Sequence, residues 1–301
     1  MPQAEPVIVL GAGAIGSVYA VKLSARHRVT VVARRDHVDA ILSGGLRLIG
    51  RETVTSYVDA VTQIDTIAPN TIILLTTKVN ASEAALAPIA DLVRDDTVIV
   101  CVQNGLDSEG IARRAVRGRC LVLRAITQFG AIFQSPGVVE FTASGYTLLE
   151  DGARSAAIAA MLTSAGLDGR VSADIKTEIW RKLIFNCVIN PITAITGTDV
   201  GGIADPRLDP LKRLVIDECL TVARSQGVDF RIDFLSIIAE VFGASRTIAS
   251  MRQDLMRGRP TEIDHMNGAV VSLGRRAGID CPVNAALAAI IKAMDRCTMT
   301  S

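Results

Sequence analysis

The sequence predicts an α/β domain with a mostly parallel sheet, followed by an all-α C-terminal domain. At 301 residues the chain exceeds the usual domain length of about 100–200 residues, so we expect two domains. Its first half alternates short β-rich runs with helical patterns, which is typical of βαβ units. Its second half has helical periodicity and little strand signal. We therefore place the domains at residues 1–170 and 171–301, with a break at Leu167-Asp168-Gly169-Arg170.

The clearest strand predictions are four short apolar runs, at residues 7–10, 28–33, 71–76 and 97–102. Between residues 121 and 149, strand-like runs are separated by Ser135-Pro136-Gly137 and Ser144-Gly145, which predicts hairpins that extend the edge of the sheet. Six later segments are predicted to be helical because their apolar residues recur every three or four positions. These segments are residues 174–195, 210–226, 232–242, 250–257, 262–277 and 283–296.

Composition narrows the class of partner. Hydrophobic residues make up 49% of the chain and the formal net charge is +1, so no broad basic surface is available for nucleic acid or an anionic membrane. Every apolar stretch is broken by a charge or a turn before the ~18–20 residues that a membrane helix needs. The N-terminal residues lack the pattern of a signal peptide. We expect a cytoplasmic protein that binds a small molecule, and a homodimer stays open.

Cysteines and histidines give no indication of a metal site. The six cysteines have neither a Cys-x-x-Cys spacing nor an even framework, so we expect small buried side chains in a reducing compartment. They are Cys101, Cys120, Cys187, Cys219, Cys281 and Cys297. The three histidines lie far apart and lack zinc spacing, so we predict that no metal is bound.

The first chemical motif is Gly11-Ala12-Gly13-Ala14-Ile15-Gly16, which directly follows a predicted strand and opens a predicted helix. In that context Gly11 allows a tight turn, Gly13 lets a pyrophosphate approach the backbone, and Gly16 lets the helix pack on the strand. The helix N-terminus adds N–H donors and a positive dipole. All six residues are therefore predicted to bind a dinucleotide in a Rossmann-type domain. The alternative is a glycine turn with a structural role only.

Arg34 follows the next predicted strand, where NAD-binding domains carry an acidic residue for the ribose 2′-hydroxyl. A guanidinium at this place can bind a 2′-phosphate in a bidentate manner, whereas a carboxylate would repel it. The sequence therefore favours NADP as the cofactor, with Arg34 as its selector. Asp36 keeps NAD open as an alternative, and Arg34 as a plain surface arginine is another.

Two further loops follow strand ends, where open α/β sheets bind their ligands. They are Thr76-Thr77-Lys78 and Val102-Gln103-Asn104-Gly105. We predict that Lys78 contacts the cofactor and that Asn104 contacts both cofactor and substrate. A solvated lysine at a helix start and a simple Asn-Gly turn are the structural alternatives.

The second half contains a polar stripe on a predicted apolar helix, formed by Lys182, Asn186 and Asn190. Residues spaced by four lie close to one face of a helix. A buried polar group without a partner costs ~1–3 kcal/mol, so a stripe of three indicates a partner. A substrate with a reducible carbonyl and a carboxylate would supply one, because a lysine can polarise the carbonyl and protonate the developing alkoxide. A hydrogen-bond network between helices is the structural alternative.

A third group of polar residues comprises Ser250-Met251 and Thr261-Glu262-Ile263-Asp264 with Asn267-Gly268. We expect a helix to begin at Pro260 or Thr261, with Glu262 in its first turn. A carboxylate at that place could do no more than compensate the helix dipole, so the residues alone leave the function of Glu262 open.

Taken together, these motifs resemble the ketopantoate reductase (2-dehydropantoate 2-reductase) family over nearly the whole chain. The resemblance implies that Lys182 donates the proton, that Asn186 and Asn190 are amides beside the substrate, and that Asn104 holds the geometry near the nicotinamide ribose. It also implies the following functions for three other residues: Ser250 binds the substrate carboxylate, Glu262 lies near its hydroxyl, and Arg34 contacts the 2′-phosphate.

The implied reaction is the NADPH-dependent reduction of 2-dehydropantoate to pantoate, in pantothenate and coenzyme A biosynthesis. Two positions depart from the family pattern. Ala81 stands where relatives often carry Gln or an acidic residue, and Val200 stands near a position where some relatives have Asn. A reductase of another 2-oxo acid is therefore an alternative. A noncatalytic NADP-sensing protein is a second one, against which the intact polar stripe argues.

Overall fold

The computed structural model describes residues 5–299, with side chains up to residue 295. The chain divides into two compact units. Among the described residues, the first unit holds 5–103 and 107–175, and the second holds 104–106 and 176–299. A three-residue segment of the first half of the sequence thus belongs to the second unit.

An eight-stranded sheet forms the centre of the first unit. In chain order its strands are β1 (Val7–Leu10), β2 (Val29–Val32), β5 (Asp59–Val61), β6 (Ile72–Leu75), β7 (Val98–Cys101), β8 (Leu121–Thr127), β11 (Thr147–Glu150) and β12 (Gly169–Ser172). Their spatial order is β12-β11-β8-β7-β6-β1-β2-β5, and only the β8–β11 pair is antiparallel. The first six of these strands have the 3-2-1-4-5-6 order of a Rossmann domain, which confirms the predicted fold class.

Burial explains the apolar runs from which the sheet was predicted. Every residue of β1, β6 and β7 is buried, as expected for parallel strands covered on both faces. The helices of this unit are α1 (Ala14–Ser24), α2 (Arg35–Gly44), α3 (Ser82–Leu86), α4 (Ser108–Ala115) and α5 (Ser155–Ser164). The strand order reverses between β1 and β6, where such sheets bind ligands.

A second, four-stranded sheet corrects the prediction that both hairpins extend the main sheet. Its strands are β3 (Leu46–Gly50), β4 (Val54–Ser56), β9 (Gly130–Ser135) and β10 (Val138–Ala143), in the order β4-β3-β10-β9. The turn at residues 135–137 therefore joins two strands of this sheet. Because β10 pairs in parallel with the distant β3, local turn signals could not reveal the pairing. Only the turn at residues 144–145 precedes a strand of the main sheet.

The second unit is helical, as predicted. Its helices are α6 (Ile175–Thr196), α7 (Asp209–Ser225), α8 (Phe234–Ile237), α9 (Ser250–Met256), α10 (Asn267–Arg276) and α11 (Pro282–Met299). A π-helical turn, Ile238–Phe242, continues α8. The expected helix start at Pro260 or Thr261 is wrong, since a short 3₁₀ turn, Ile263–His265, precedes α10. The Thr261 N–H and hydroxyl instead bond to the Asp295 carboxylate, at 3.3 Å and 2.8 Å, which ties this backbone to α11.

Four cysteines are buried as free thiols: Cys101, Cys187, Cys219 and Cys281. Cys120 is only half-buried, and the side chain of Cys297 lies outside the described ones. Burial raises the pKa of Cys101 to about 12, so its thiol stays protonated at neutral pH. Among residues 5–299 no helix is long and apolar enough to cross a bilayer. Within the same described part, no three His, Cys, Asp or Glu side chains converge to hold a metal ion.

Candidate functional site

Two glycines of the Gly11–Gly16 turn are required by the fold itself. Gly11 has a φ of +104°, and a Cβ there would lie 2.7 Å from the Thr77 backbone nitrogen. A Cβ on Gly16 would lie 2.5 Å from the Gly11 carbonyl oxygen. Any larger residue at these two positions would therefore push the turn, the following helix and the Thr77 loop apart.

Gly13 differs, because a Cβ there would have nothing within 4 Å. The residue precedes α1, whose first hydrogen bond runs from the Ser17 N–H to the Gly13 carbonyl at 3.0 Å. The N–H groups of Ala14, Ile15 and Gly16 come before that bond, so the helix itself supplies them with no acceptor. Open space, N–H donors and a positive helix end together fit a phosphate group.

Arg34 lies in an exposed position between β2 and α2. Within residues 5–295 its guanidinium makes no hydrogen bond or ion pair with another residue, so it can take an external anion. Asp36 lies in the first turn of α2, where the helix dipole accounts for a carboxylate. An exposed guanidinium at the end of β2 is compatible with a nucleotide that carries a 2′-phosphate.

The loop after β6 carries Lys78, which is half-buried and directly precedes a 3₁₀ turn, Val79–Ala81. The Thr76 hydroxyl donates to the Gly11 carbonyl at 2.7 Å, which joins this loop to the glycine turn. Ala81 ends the 3₁₀ turn and is exposed. The structure therefore brings Lys78 to the same edge of the sheet as Gly11.

Two supporting residues in this unit were missed by the sequence analysis. The Gln103 amide, in a side chain that is only 6% exposed, donates to the Thr77 carbonyl at 3.0 Å and to the Ser82 hydroxyl at 2.6 Å. It thereby holds the loop that carries Lys78. Arg124 is buried in β8 and donates to the Cys101 carbonyl at 3.0 Å. Its burial, which lowers the pKa of its guanidinium, is offset in part by Glu109.

The turn that carries Asn104 packs within the second unit. Gly105 has a φ of +80°, and a Cβ on it would lie 2.5 Å from the His265 carbonyl oxygen. Leu106 packs against the apolar core of the same unit. Gly105 is therefore required both by its backbone conformation and by close contact with the segment that follows Glu262.

The polar stripe lies on α6 as predicted. Lys182 and Asn186 are half-buried and Asn190 is 5% exposed. The neighbouring side chains of the helix form part of the core, namely Trp180, Leu183, Ile184, Cys187 and Val188. The Asn190 amide donates to the Met266 sulfur at 3.5 Å. In residues 5–295 the Asn186 amide makes no hydrogen bond to another residue, so a structural network does not explain it.

Glu262 lies in a segment that α11 holds from two sides. Thr261 bonds to Asp295, as described above, and Asp264 forms an ion pair with Lys292. Glu262, half-buried between these two anchors, directly precedes the Ile263–His265 turn. The following residues reach α6 through Met266 and the Asn104 turn through His265. This segment therefore carries Glu262 and contacts both α6 and the Asn104 turn, which hold other predicted substrate-binding residues.

Ser250 is the exposed first residue of α9. Buried Met251 anchors the helix, and the Gln253 amide donates to the Ile248 carbonyl at 2.8 Å. Within the described side chains the Ser250 hydroxyl makes no hydrogen bond. The structure leaves this hydroxyl available to a ligand but does not join it to the α6 stripe by a direct contact.

The first unit has a sheet in the Rossmann order and a glycine turn that fits a phosphate. The second unit is all-α and carries a polar stripe. This combination is typical of dinucleotide-binding oxidoreductases. The family model described as "Ketopantoate reductase PanE/ApbA" matches residues 7–168, and its C-terminal counterpart matches residues 174–295. The chain belongs to the ketopantoate reductase family, which confirms the resemblance inferred from its motifs.

Relatives and solved structures agree with this assignment. A 2-dehydropantoate 2-reductase of Pyrococcus horikoshii is 33% identical, over 96% of this chain and 97% of the relative. The crystal structure of a PanE/ApbA family ketopantoate reductase from Ralstonia eutropha JMP134 has a TM-score of 0.89 at 29% identity, over 97% of this chain and 99% of the other. D-mandelate dehydrogenase, solved with NADH and anilino(oxo)acetate, has a TM-score of 0.90 at 25% identity, with the same coverage.

Proposed function

We propose that this protein is an NADPH-dependent 2-dehydropantoate 2-reductase, which reduces 2-dehydropantoate to pantoate in pantothenate and coenzyme A biosynthesis. The observation that carries the proposal is the α6 stripe. Lys182 and the two asparagines lie on a helix with many side chains in the core, and Asn186 has no hydrogen bond to another described residue that would account for it. The family to which the chain belongs supports the same reaction.

The nucleotide is assigned to the first unit. The N–H groups after Gly13 would bind its pyrophosphate, Arg34 its 2′-phosphate, and Lys78 part of its remaining length. When bound, NADPH supplies the hydride for the reduction. The guanidinium of Arg34, which has no partner among the described side chains, is the feature that favours NADP over NAD.

The 2-oxo acid is assigned to the second unit. Lys182 would donate a hydrogen bond to the substrate's carbonyl oxygen and pass its proton to that oxygen as negative charge develops. Asn186 and Asn190 would orient the carbonyl, the Ser250 hydroxyl would bind the carboxylate, and Glu262 would accept from the substrate hydroxyl. Asn104, held against the His265 segment by Gly105, is proposed to contact both the substrate and the cofactor.

A second candidate substrate is a 2-oxo acid with a more apolar side chain. Val200 is buried in the core of the helical unit, and its N–H donates to the Thr247 carbonyl at 2.8 Å. An apolar residue where some relatives place an amide removes one polar contact for a hydroxyl group. The similarity to D-mandelate dehydrogenase supports this alternative within the same reaction class.

The proposal is tested by following NADPH oxidation with 2-dehydropantoate and a panel of apolar and aromatic 2-oxo acids. We expect 2-dehydropantoate to give the highest kcat/KM, with the Lys182→Ala variant as a control for contaminating reductases. A higher kcat/KM with phenylglyoxylate would favour the second candidate. If the purified protein oxidised NADPH with none of these acids, both assignments would be wrong.

A further inference from the structure

The catalytic helix α6 contains Pro191, which removes one of its hydrogen bonds. In an α-helix the N–H of each residue donates to the carbonyl four positions earlier, and proline has no N–H. The carbonyl of Cys187 therefore lacks its helical donor. Because Cys187 and Pro191 are both buried, water cannot replace that donor without a penalty.

Asn267 supplies the missing donor. Its side-chain amide lies 3.0 Å from the Cys187 carbonyl oxygen, and the residue is fully buried at the start of α10. The sequence motif Asn267-Gly268 thereby gains a function that the proposed reaction did not assign to it. One carboxamide from another helix completes the hydrogen-bond ladder at the position where proline interrupts it.

The Asn267 amide is itself held by a chain of hydrogen bonds. It also donates to the Asn284 carboxamide oxygen at 2.9 Å, and the Asn284 amide donates to the Glu218 carboxylate at 2.7 Å. Glu218 in turn accepts the N–H groups of Val283 and Asn284, at 2.8 Å and 2.9 Å, in the first turn of α11. Three helices thus fix the carboxamide that reaches α6.

The affected stretch links two residues of the polar stripe. Residues 187–191 connect Asn186 to Asn190, and a proline inside a helix bends the helix in the turn before it. The geometry of this stretch therefore determines the direction of Asn190 relative to Lys182 and Asn186. Met266, the residue before Asn267, accepts the Asn190 amide hydrogen bond, so two adjacent residues hold both sides of the bend.

We propose that Asn267 is a positioning residue of the 2-oxo acid site. Its carboxamide replaces the hydrogen bond that Pro191 removes and so fixes Asn190 in line with the rest of the stripe. It acts through α6 and does not touch the substrate. The kinetic part of this proposal rests on the proposed function, whereas the structural part does not.

The test uses Pro191→Ala, which restores an N–H donor to the Cys187 carbonyl. In the wild-type background we expect Asn267→Ala to lower the Tm by roughly 5 °C and to speed amide exchange at residues 189–194. The kcat/KM for the 2-oxo acid should fall roughly 10- to 100-fold, while the KM for NADPH stays unchanged.

In the Pro191→Ala background, the Tm loss and the faster exchange that Asn267→Ala causes should shrink by more than half. Lys212→Met is the matched control, since this buried side chain donates to the Ile203 carbonyl at 2.8 Å and not to α6, so its loss should cost the same in both backgrounds.

Three outcomes would overturn the proposal or separate it from the function. Equal costs of Asn267→Ala in both backgrounds would show that the amide does not serve the Cys187 carbonyl. A coupled Tm with unchanged kcat/KM would show that the contact is structural only. If the wild-type protein reduced no 2-oxo acid, the proposed function would fail, and exchange at residues 189–194 would still decide whether Asn267 fixes the bend.

Discussion

The glycine turn and the α6 stripe are the two regions to which ligand binding is assigned, and they differ in the parts of the chain that supply the donors. In the glycine turn the donors are backbone N–H groups, and the constraints on Gly11 and Gly16 come from atoms of the adjacent strand ends. In the stripe the donors are side chains, and their geometry depends on the distant segment around residues 262–267. A site made of backbone leaves a short motif in the sequence, whereas a site made of side chains needs support that its own helix does not contain.

The largest effect is expected from Lys182→Ala. Negative charge develops on the substrate oxygen during reduction, and removing one positioned donor typically costs ~10²–10³ in kcat, or about 2.7–4 kcal/mol. The Kd for NADPH should stay nearly constant, because its contacts are assigned to the glycine turn in the other unit. Steady-state kinetics and NADPH binding titrations measure the two quantities.

Lys182→Arg is the informative companion variant. It keeps the positive charge but gives up a proton poorly, so we expect it to recover little of the lost kcat. Near-normal kcat in the alanine variant would make Lys182 a structural lysine and would end the proposed mechanism.

The next effect concerns cofactor choice in the first unit. Arg34→Glu replaces an unpaired guanidinium by a carboxylate, which would repel a 2′-phosphate but tolerate a ribose hydroxyl. We expect kcat/KM for NADPH to fall roughly 10- to 100-fold, as charged hydrogen bonds are worth ~1.5–3 kcal/mol each, while NADH use changes little. Arg35→Glu is the matched control on the neighbouring exposed position. Equal losses with both cofactors would contradict the selector function.

A pair of glycine variants separates the structural part of the turn from its binding part. Gly13→Ala places a methyl group in open space, so the Tm should change by less than about 2 °C while the KM for NADPH rises. Gly16→Ala forces a Cβ against the Gly11 carbonyl, so its Tm should fall by several times that amount. An unchanged KM for NADPH in Gly13→Ala would mean that the open space at Gly13 is not kept for a ligand.

The same contrast explains what the sequence could predict. The mostly parallel sheet followed from βαβ units and the glycine motif, because both are local patterns. The second sheet was missed because β10 pairs with a strand far away in the chain. Gln103 stood beside a predicted site residue, but nothing in the sequence indicated that its amide would bond to Thr77. Arg124 lies in an apolar strand, and nothing in the sequence indicated which groups its guanidinium would contact.

Within the stripe the sequence predicted which residues share a helix face, and α6 places them there. Their contacts with a substrate stay predictions. The support from Thr261, Asp264 and Asn267 lies outside α6, in the segment before α10 and at the start of α10, so neither periodicity nor spacing could reveal it. The expected helix start at Pro260 failed for the same reason, because Asp295 of α11 takes the N–H and hydroxyl of Thr261.

Asn186→Leu sharpens the distinction between a binding residue and a supporting one. The Asn186 amide has no hydrogen bond to another described residue, so its removal should leave the Tm of the ligand-free protein unchanged or slightly higher. Substrate KM should rise at the same time. Asn267→Ala, a change at an asparagine with two buried hydrogen bonds, provides the contrast. A loss of several kcal/mol for Asn186→Leu in denaturant melts would support a structural network instead.

The smallest effect concerns the contact between α2 and the second sheet. It tests whether the first unit also depends on a contact between residues that are far apart in the chain. His37 lies in α2, three residues after Arg34, and its Nδ1 accepts the Gly137 N–H at 2.9 Å. Burial lowers the pKa of His37 below its usual 6.5, and the nearby positive charge of Arg34 lowers it further, while Asp36 opposes both. The unfolded chain therefore binds a proton before the folded one as pH falls. Stability contributed by the neutral ring is complete above about pH 6.5 and decreases from there toward the folded-state pKa.

We expect the Tm loss between about pH 7.5 and about pH 5.5 to be smaller in His37→Gln, by about 2 °C, since glutamine keeps an acceptor but does not titrate. An equal Tm loss in both proteins would show that the contact between α2 and the second sheet does not depend on this ring.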